Sequence, residues 1–107
     1  MIYYNVTINI DQTVEQTWLS WMQNKHIAEV LATGLFQQAR MVKIKTDQAD
    51  GSTSYAVQYT ADSMDDLDQY YREHAPRLRE EGLQLFGDKM LAFRTELEHI
   101  SDHYPQK

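Results

Sequence analysis

Four stretches of this chain alternate apolar and polar side chains, and helical stripes separate them in the order strand, helix, strand, strand, helix, strand. A period of two sends successive side chains to opposite faces, so each stretch must bury one face and present the other. The clearest runs from 2 to 10. Ile2, Tyr4, Val6, Ile8 and Ile10 share one face, and Tyr3, Asn5, Thr7 and Asn9 share the other. The last runs from 90 to 98, with Leu91, Phe93 and Leu97 opposed to Ala92, Arg94, Glu96 and Glu98. In 53–61, Tyr55, Val57 and Tyr59 oppose Ala56, Gln58 and Thr60. In 35–46, Phe36, Val42 and Ile44 share a parity with Gln38 and Arg40, so a bulge is expected.

The spaces between read as helices. Thr13 with Gln16 has the capping-box spacing, and Val14, Trp18 and Met22 recur every four residues. Ile27, Val30 and Leu31 continue the stripe after a bend near Asn24, and Gly34 suits the left-handed position after a helix. One helix, or two end to end, is predicted over 13–32. Ser63 with Asp66 caps the second helical region, whose stripe is Met64, Leu67, Tyr71, Ala75 and Leu78. Pro76 predicts a kink or a restart there. Asp47 to Ser52, with its Asp50-Gly51 pair, predicts a hairpin turn. Gly87-Asp88 is a second turn.

The order β-α-β-β-α-β is the ferredoxin-like plan of the α+β class. It predicts one domain over 1–100, a four-stranded antiparallel sheet in the order 4-1-3-2 and two helices on one face. Residues 101–107 are expected to be a frayed tail.

Composition narrows the function classes. The 107 residues carry 16 Asp and Glu against 10 Lys and Arg, a net charge of -6. Such a surface repels nucleic-acid backbones and anionic lipid, so neither is an expected partner. No stretch has the apolar length of a membrane helix. No basic and apolar leader opens the chain, and there is no cysteine, so a reducing cytoplasm is the expected location. Thiolate catalysis is excluded with the cysteines. No glycine-rich phosphate loop and no G-x-S-x-G element occurs, and no metal or other cofactor is expected.

With the helices over Tyr4, Val6, Ile8, Val57, Tyr59, Leu91 and Phe93, the open face would carry Tyr3, Asn5, Thr7, Ala56, Gln58, Thr60, Ala92, Arg94 and Glu96. Such a face is either solvated or packed on a second copy of itself. Two-fold homodimers are the commonest assemblies, so the interface is the expectation. Arg94 and Glu96 would then pair with each other or with the mate's copies.

Several segments carry a resemblance: 4–10, Trp18 to Met22, His26 with Val30-Leu31-Ala32-Thr33-Gly34, Ala75-Pro76, Phe86-Gly87-Asp88-Lys89 and Ala92-Phe93-Arg94-Thr95. Together they resemble a family of short bacterial proteins known as a domain of unknown function. A common variant of that pattern has proline where this chain has Ala28. The resemblance implies a dimeric α+β barrel. That superfamily holds cofactor-free monooxygenases, haem-degrading enzymes and non-enzymatic binding proteins, and the resemblance carries no particular reaction with it.

Candidate chemistry is sparse. Asn5, Gln58 and Arg94 are expected side by side on the open face. They could hold a carboxylate or enolate oxygen, although interface hydrogen bonding is the simpler use. His26, near Trp18, Trp21 and Met22, would need a cavity and a partner to act as a base, and a structural histidine needs neither. Haem-binding relatives of the implied superfamily use a helical histidine near a strand asparagine, which His74 and Asn5 could mimic. By parity, however, Asn5 points away from the helices. His99 and His103 are four apart, but they straddle a strand end rather than a helix, and a surface accident is the expectation.

The expected protein is therefore a homodimer joined through the sheet face, a non-enzymatic module that binds a small ligand or a partner. Asn5, Gln58, Arg94, Glu96, Trp18 and Trp21 are its candidate contact residues. The alternative is a cofactor-independent, monooxygenase-like enzyme on a small aromatic or quinone-like metabolite. Its pocket would be lined by Trp18, Trp21, Tyr59 and His26, with His26, Tyr59 and Arg94 as candidate catalytic residues.

Overall fold

The computed structural model describes residues 1–46 and 48–106; Asp47, the first residue of the predicted hairpin turn, and Lys107, the last of the predicted tail, lie outside the described residues. The strands are β1 (Ile2–Ile10), β2 (Gln38–Lys43), β3 (Thr53–Ala61) and β4 (Met90–Glu98). The helices are α1 (Glu15–Trp21), α2 (Ile27–Leu31), α3 (Met64–Glu73) and α4 (Ala75–Phe86). A π-helical turn over Met22–His26 joins α1 to α2, and a 3-10 turn, Gly87–Lys89, leads into β4. All neighbouring strands are antiparallel, in the hydrogen-bonded order β2-β3-β1-β4. The molecule is a slab of 42 × 41 × 21 Å, one helical layer on one sheet, with the other face of the sheet open. No helix among the described residues is long and apolar enough to cross a membrane.

Local chemistry explains most boundaries. Ser63 caps α3 by accepting the Asp66 backbone N–H at 3.2 Å, and Asp65 and Asp66 lie in the first turn where the helix dipole favours them. Pro76 restarts the helix, standing in the first turn of α4 just after His74 breaks α3. The expected capping box at Thr13 does not form. Asp11 Oδ1 accepts from both the backbone N–H and the hydroxyl of Thr13, at 2.8 and 2.6 Å, which makes a turn before the helix and leaves Val14 to cap it without a side chain. The bend expected near Asn24 is the π turn. β2 is shorter than the stretch read as a strand. Phe36 precedes it and turns into the core, while the Gln37 N–H donates to the Thr60 carbonyl at 2.8 Å.

The core lies between sheet and helices. Tyr4, Val6, Ile8 and Ile10 from β1 and Tyr55, Val57, Tyr59 and Ala61 from β3 meet Trp18, Met22, Val30, Leu67, Tyr70, Ala75, Leu78 and Phe86. β4 corrects the reading of its faces. Val6 stands opposite Arg94, Ile8 opposite Ala92 and Tyr4 opposite Glu96, so these three β4 residues lie on the helix-covered side. Leu91 and Phe93 lie on the open side, 54% and 65% exposed. The Asp11 N–H donates to the Lys89 carbonyl at 2.9 Å and the His99 N–H to the Met1 carbonyl at 3.0 Å, closing the β1–β4 ladder at both ends in this register.

Trp18 has 0% exposure, so Trp18→Ala should cost about 3–5 kcal/mol in denaturant unfolding. Gly34 has φ +80°, and a Cβ added there would meet no atom within 4 Å. Gly34→Ala should therefore cost only its backbone strain, about 1–2 kcal/mol in the same measurement.

Candidate functional site

A cavity of about 250 Å³ lies between the covered face of the sheet and the helices. Its floor comes from three adjacent strands: Tyr4, Val6 and Ile8 of β1, Val57 and Tyr59 of β3, and Met90, Ala92 and Arg94 of β4. Trp21, Met22 and His26 close it from α1 and the π turn, and Tyr70, Leu78, Arg79, Gly82 and Leu83 close it from α3 and α4. Two backbone features shape it. In the π turn the Ile27 N–H bonds back to the Met22 carbonyl, five residues away. The wider turn brings Met22 and His26 to the same cavity as Trp21. At Gly82 a Cβ would stand 3.1 Å from Met90 Cε and 3.4 Å from Trp21 Cη2, so glycine lets α4 approach both.

The polar groups are few and under-partnered. The His26 ring stacks on Trp21, with centroids 4.4 Å apart and planes at 25°. Its Nδ1 is buried without a hydrogen-bond partner among the described residues. Burial holds the imidazole below its ordinary pKa; the carboxylates of Glu81 and Glu29 oppose this, and Arg94 and Lys25 reinforce it. Glu81 accepts from Trp21 Nε1 at 3.3 Å and is ion-paired with Lys25. Arg79 donates from Nη2 to the Tyr4 hydroxyl at 3.0 Å and lies over the Tyr71 ring at 5.7 Å. Its Nε is buried without a partner among the described residues. Burial, with Tyr4 adding to it, pushes the Tyr70 phenol up to about 12; burial, with Tyr70 and Tyr4 adding to it, raises Tyr59 as well. Both stay protonated at neutral pH and can donate hydrogen bonds. A neutral imidazole, three phenols and two guanidinium groups thus share one otherwise apolar space, a combination suited to holding and polarising an oxygen-bearing ring compound.

His26, Tyr59, Trp21 and Arg94 all line this cavity. Trp18 does not: it is buried against Tyr55, with centroids 5.0 Å apart. Asn5 and Gln58 are paired on the open face as expected. Arg94 is not their neighbour, because the β4 register turns it to the cavity side. The guanidinium beside Gln58 belongs to Arg40, whose Nη2 donates to Gln58 Oε1 at 2.7 Å. Asn5 donates to Thr7 Oγ1 at 3.2 Å. Glu96, expected to pair with Arg94 at an interface, instead accepts from the Tyr71 hydroxyl at 2.7 Å. His74 contacts Arg77 and stacks on Tyr70, while Asn5 lies on the far side of the sheet, so the two are not brought together. His99 bonds the Tyr3 hydroxyl at 2.6 Å and His103 bonds Ser101 at 2.8 Å, so they take different partners.

Arg79 escaped the sequence reading. The signal was there: it stands four residues after Ala75 and three before Gly82, a cation inside an apolar stripe. Tyr4 was read as core only, and Tyr70 falls outside the predicted stripe, which runs through Tyr71.

Several solved structures share the fold. A dimeric ferredoxin-like protein from an uncultured marine organism superposes with a TM-score of 0.66 at 11% identity, covering 98% of this chain and 100% of its own. An ethyl tert-butyl ether D (EthD) family protein from Bacillus halodurans gives 0.63 at 14% identity, covering 94% of this chain and 100% of its own. Hydroxynitrile lyase from Passiflora edulis gives 0.57 at 18% identity, covering 97% of each chain. No curated protein matches the chain in sequence. Residues 1–100 match one family profile, and the chain belongs to that family, the domain of unknown function DUF4286.

Proposed function

We propose that this protein is a homodimer that binds a small ring compound in the cavity between sheet and helices. One observation carries the reading: His26, Tyr59, Arg79 and Arg94, drawn from four different elements, converge on a cavity whose remaining wall is apolar and aromatic. A packed core of this size has no need of such a space, and buried polar atoms without partners are costly unless something completes them. The dimer is supported by the open face of the sheet. With β4 turned as it is, that face presents Leu91, Phe93 and Leu97 along one edge strand and Val42 on the opposite edge, exposed apolar side chains that a second copy could cover. Ile100, 83% exposed, stands in the tail that borders the same face. Proteins of similar fold are described as dimeric. The acidic, cysteine-free composition suits the cytoplasm and disfavours nucleic acid as a partner.

A second reading is an enzyme of the cofactor-independent oxygenase type, acting on a small aromatic or quinone-like metabolite. His26 favours it, since a neutral imidazole that lines a cavity and keeps one ring nitrogen without a partner among the described residues is equipped to take a proton.

Sedimentation equilibrium at micromolar concentration should give twice the 12.6 kDa chain mass. Phe93→Glu should give a folded monomer by circular dichroism; a wild-type monomer would end the dimer reading. Benzamide should shift the Trp21 indole N–H resonance of the wild type, and Ala92→Phe, which fills the cavity floor, should abolish that shift. If no ring compound perturbs Trp21, the binding reading fails.

For the second reading, oxygen uptake with 1,4-dihydroxybenzene should disappear in His26→Phe. It should also rise with pH through a midpoint below the ordinary imidazole value of about 6.5, because only the neutral ring accepts a proton. Burial sets the direction of this midpoint, and the charges of Glu81, Glu29, Arg94 and Lys25 adjust it. Uptake at the buffer rate rules the enzyme out for this substrate class.

A further inference from the structure

We propose that the compound held in the cavity is a carboxylate on a planar ring, with Arg94 meeting the carboxylate at the mouth and Arg79 from within. This rests on the ligand-binding reading above and narrows its ligand. The two guanidinium groups of the cavity lack a counter-charge among the described residues. The chain has 16 acidic residues against 10 basic ones, so partners for cations are plentiful. Among the described residues, neither Arg79 nor Arg94 has a carboxylate oxygen within 4.0 Å. The acids nearest the cavity are engaged elsewhere: Glu81 with Lys25 and Trp21, Glu96 with the Tyr71 hydroxyl.

Arg79 is half-buried, and its contacts are a neutral phenol, an aromatic face and an unpartnered Nε. None of these neutralises it. A guanidinium in a partly desolvated wall is stabilised most by an anion that takes two of its N–H groups at once, and carboxylate has that geometry. Arg94 is exposed on the edge strand, where it faces the cavity and can meet an entering anion first.

The rest of the wall selects the body of the ligand. Trp21, Tyr59 and Leu78 offer flat and apolar surface. A volume of about 250 Å³ falls below the range of about 300–1,000 Å³ that holds drug-sized ligands, so a single ring fits better than a fused or extended one. Among the described residues, no acidic side chain lines the space to repel a carboxylate. Neutral His26 adds no charge of its own to the wall.

Benzoate and benzamide, alike in shape and different in charge, test this by isothermal titration of the full chain. Wild type should bind benzoate more tightly than benzamide by about tenfold or more. Added sodium chloride should narrow that ratio. Arg94→Gln should collapse it, Arg94→Lys should keep part of it, and circular dichroism should show both variants folded. Equal binding of the two probes by wild type would overturn the carboxylate inference while leaving the cavity a binding site. So would a benzoate preference that survives both Arg94→Gln and Arg79→Gln. If neither probe binds at millimolar concentration, the carboxylate inference and the binding reading fall together.

Discussion

The whole structure hangs on β1. It lies between β3 and β4, hydrogen-bonded to both, so its register decides what stands beside what across most of the sheet. Val6 is flanked by Val57 on one side and Arg94 on the other; Tyr4 is flanked by Tyr59 and Glu96. A slip of one residue on either side would send every inward side chain of that neighbour to the opposite face. The burial of Tyr4, Val6, Ile8 and Ile10 makes such a slip costly on the β1 side. Backbone bonds just beyond both ends of the β1–β4 pair hold it from outside.

On this platform the helices cover most of the sheet and leave a gap, and the gap follows from departures from regular packing. The π turn redirects the first helical region at the point where Met22 and His26 reach the sheet. Gly82 removes the side chain that would separate α4 from Met90 and Trp21. β4, as an edge strand, runs partly beyond the helices, so Arg94 and Glu96 can share the covered face and still reach water. A cavity with a polar mouth and an aromatic interior results. The same turn of β4 that brings Arg94 to the cavity puts Leu91 and Phe93 on the open face. The strand therefore serves two surfaces, and a substitution on one parity acts on the ligand space while its neighbour acts on the sheet face.

Much of the fold could be read along the chain. The spans Ile2–Ile10, Thr53–Ala61 and Met90–Glu98 follow from unbroken alternation, a signal contained in each segment alone. The Ser63 cap and the restart at Pro76 are equally local, since each depends on one side chain and the backbone within a turn of it. The misread cap at Thr13 shows where locality ends. Asp11 competes for the same hydroxyl and N–H, and spacing alone does not rank the two acceptors. The candidate site was legible in its residue types but not in its membership. His26, Trp21 and Tyr59 could be grouped in advance as neighbours of a sheet–helix space. Arg94 was noticed and placed on the wrong surface, and Arg79 was passed over because the stripe around it was counted as core.

By itself, the sequence determined the order of elements, the ferredoxin-like plan they imply and the two-faced character of each strand. These rest on periodicity, capping and proline chemistry within a few residues. Only the tertiary structure decided which face of β4 turns inward. A period-two pattern is unchanged when the strand is rotated by half a turn, and apolar residues on an edge strand can belong to an outer surface as readily as to a core. The tertiary structure also decided that His26, Tyr59, Arg79 and Arg94 share one cavity. They are far apart along the chain, and only the β1 register and the packing of the helices over it bring them together.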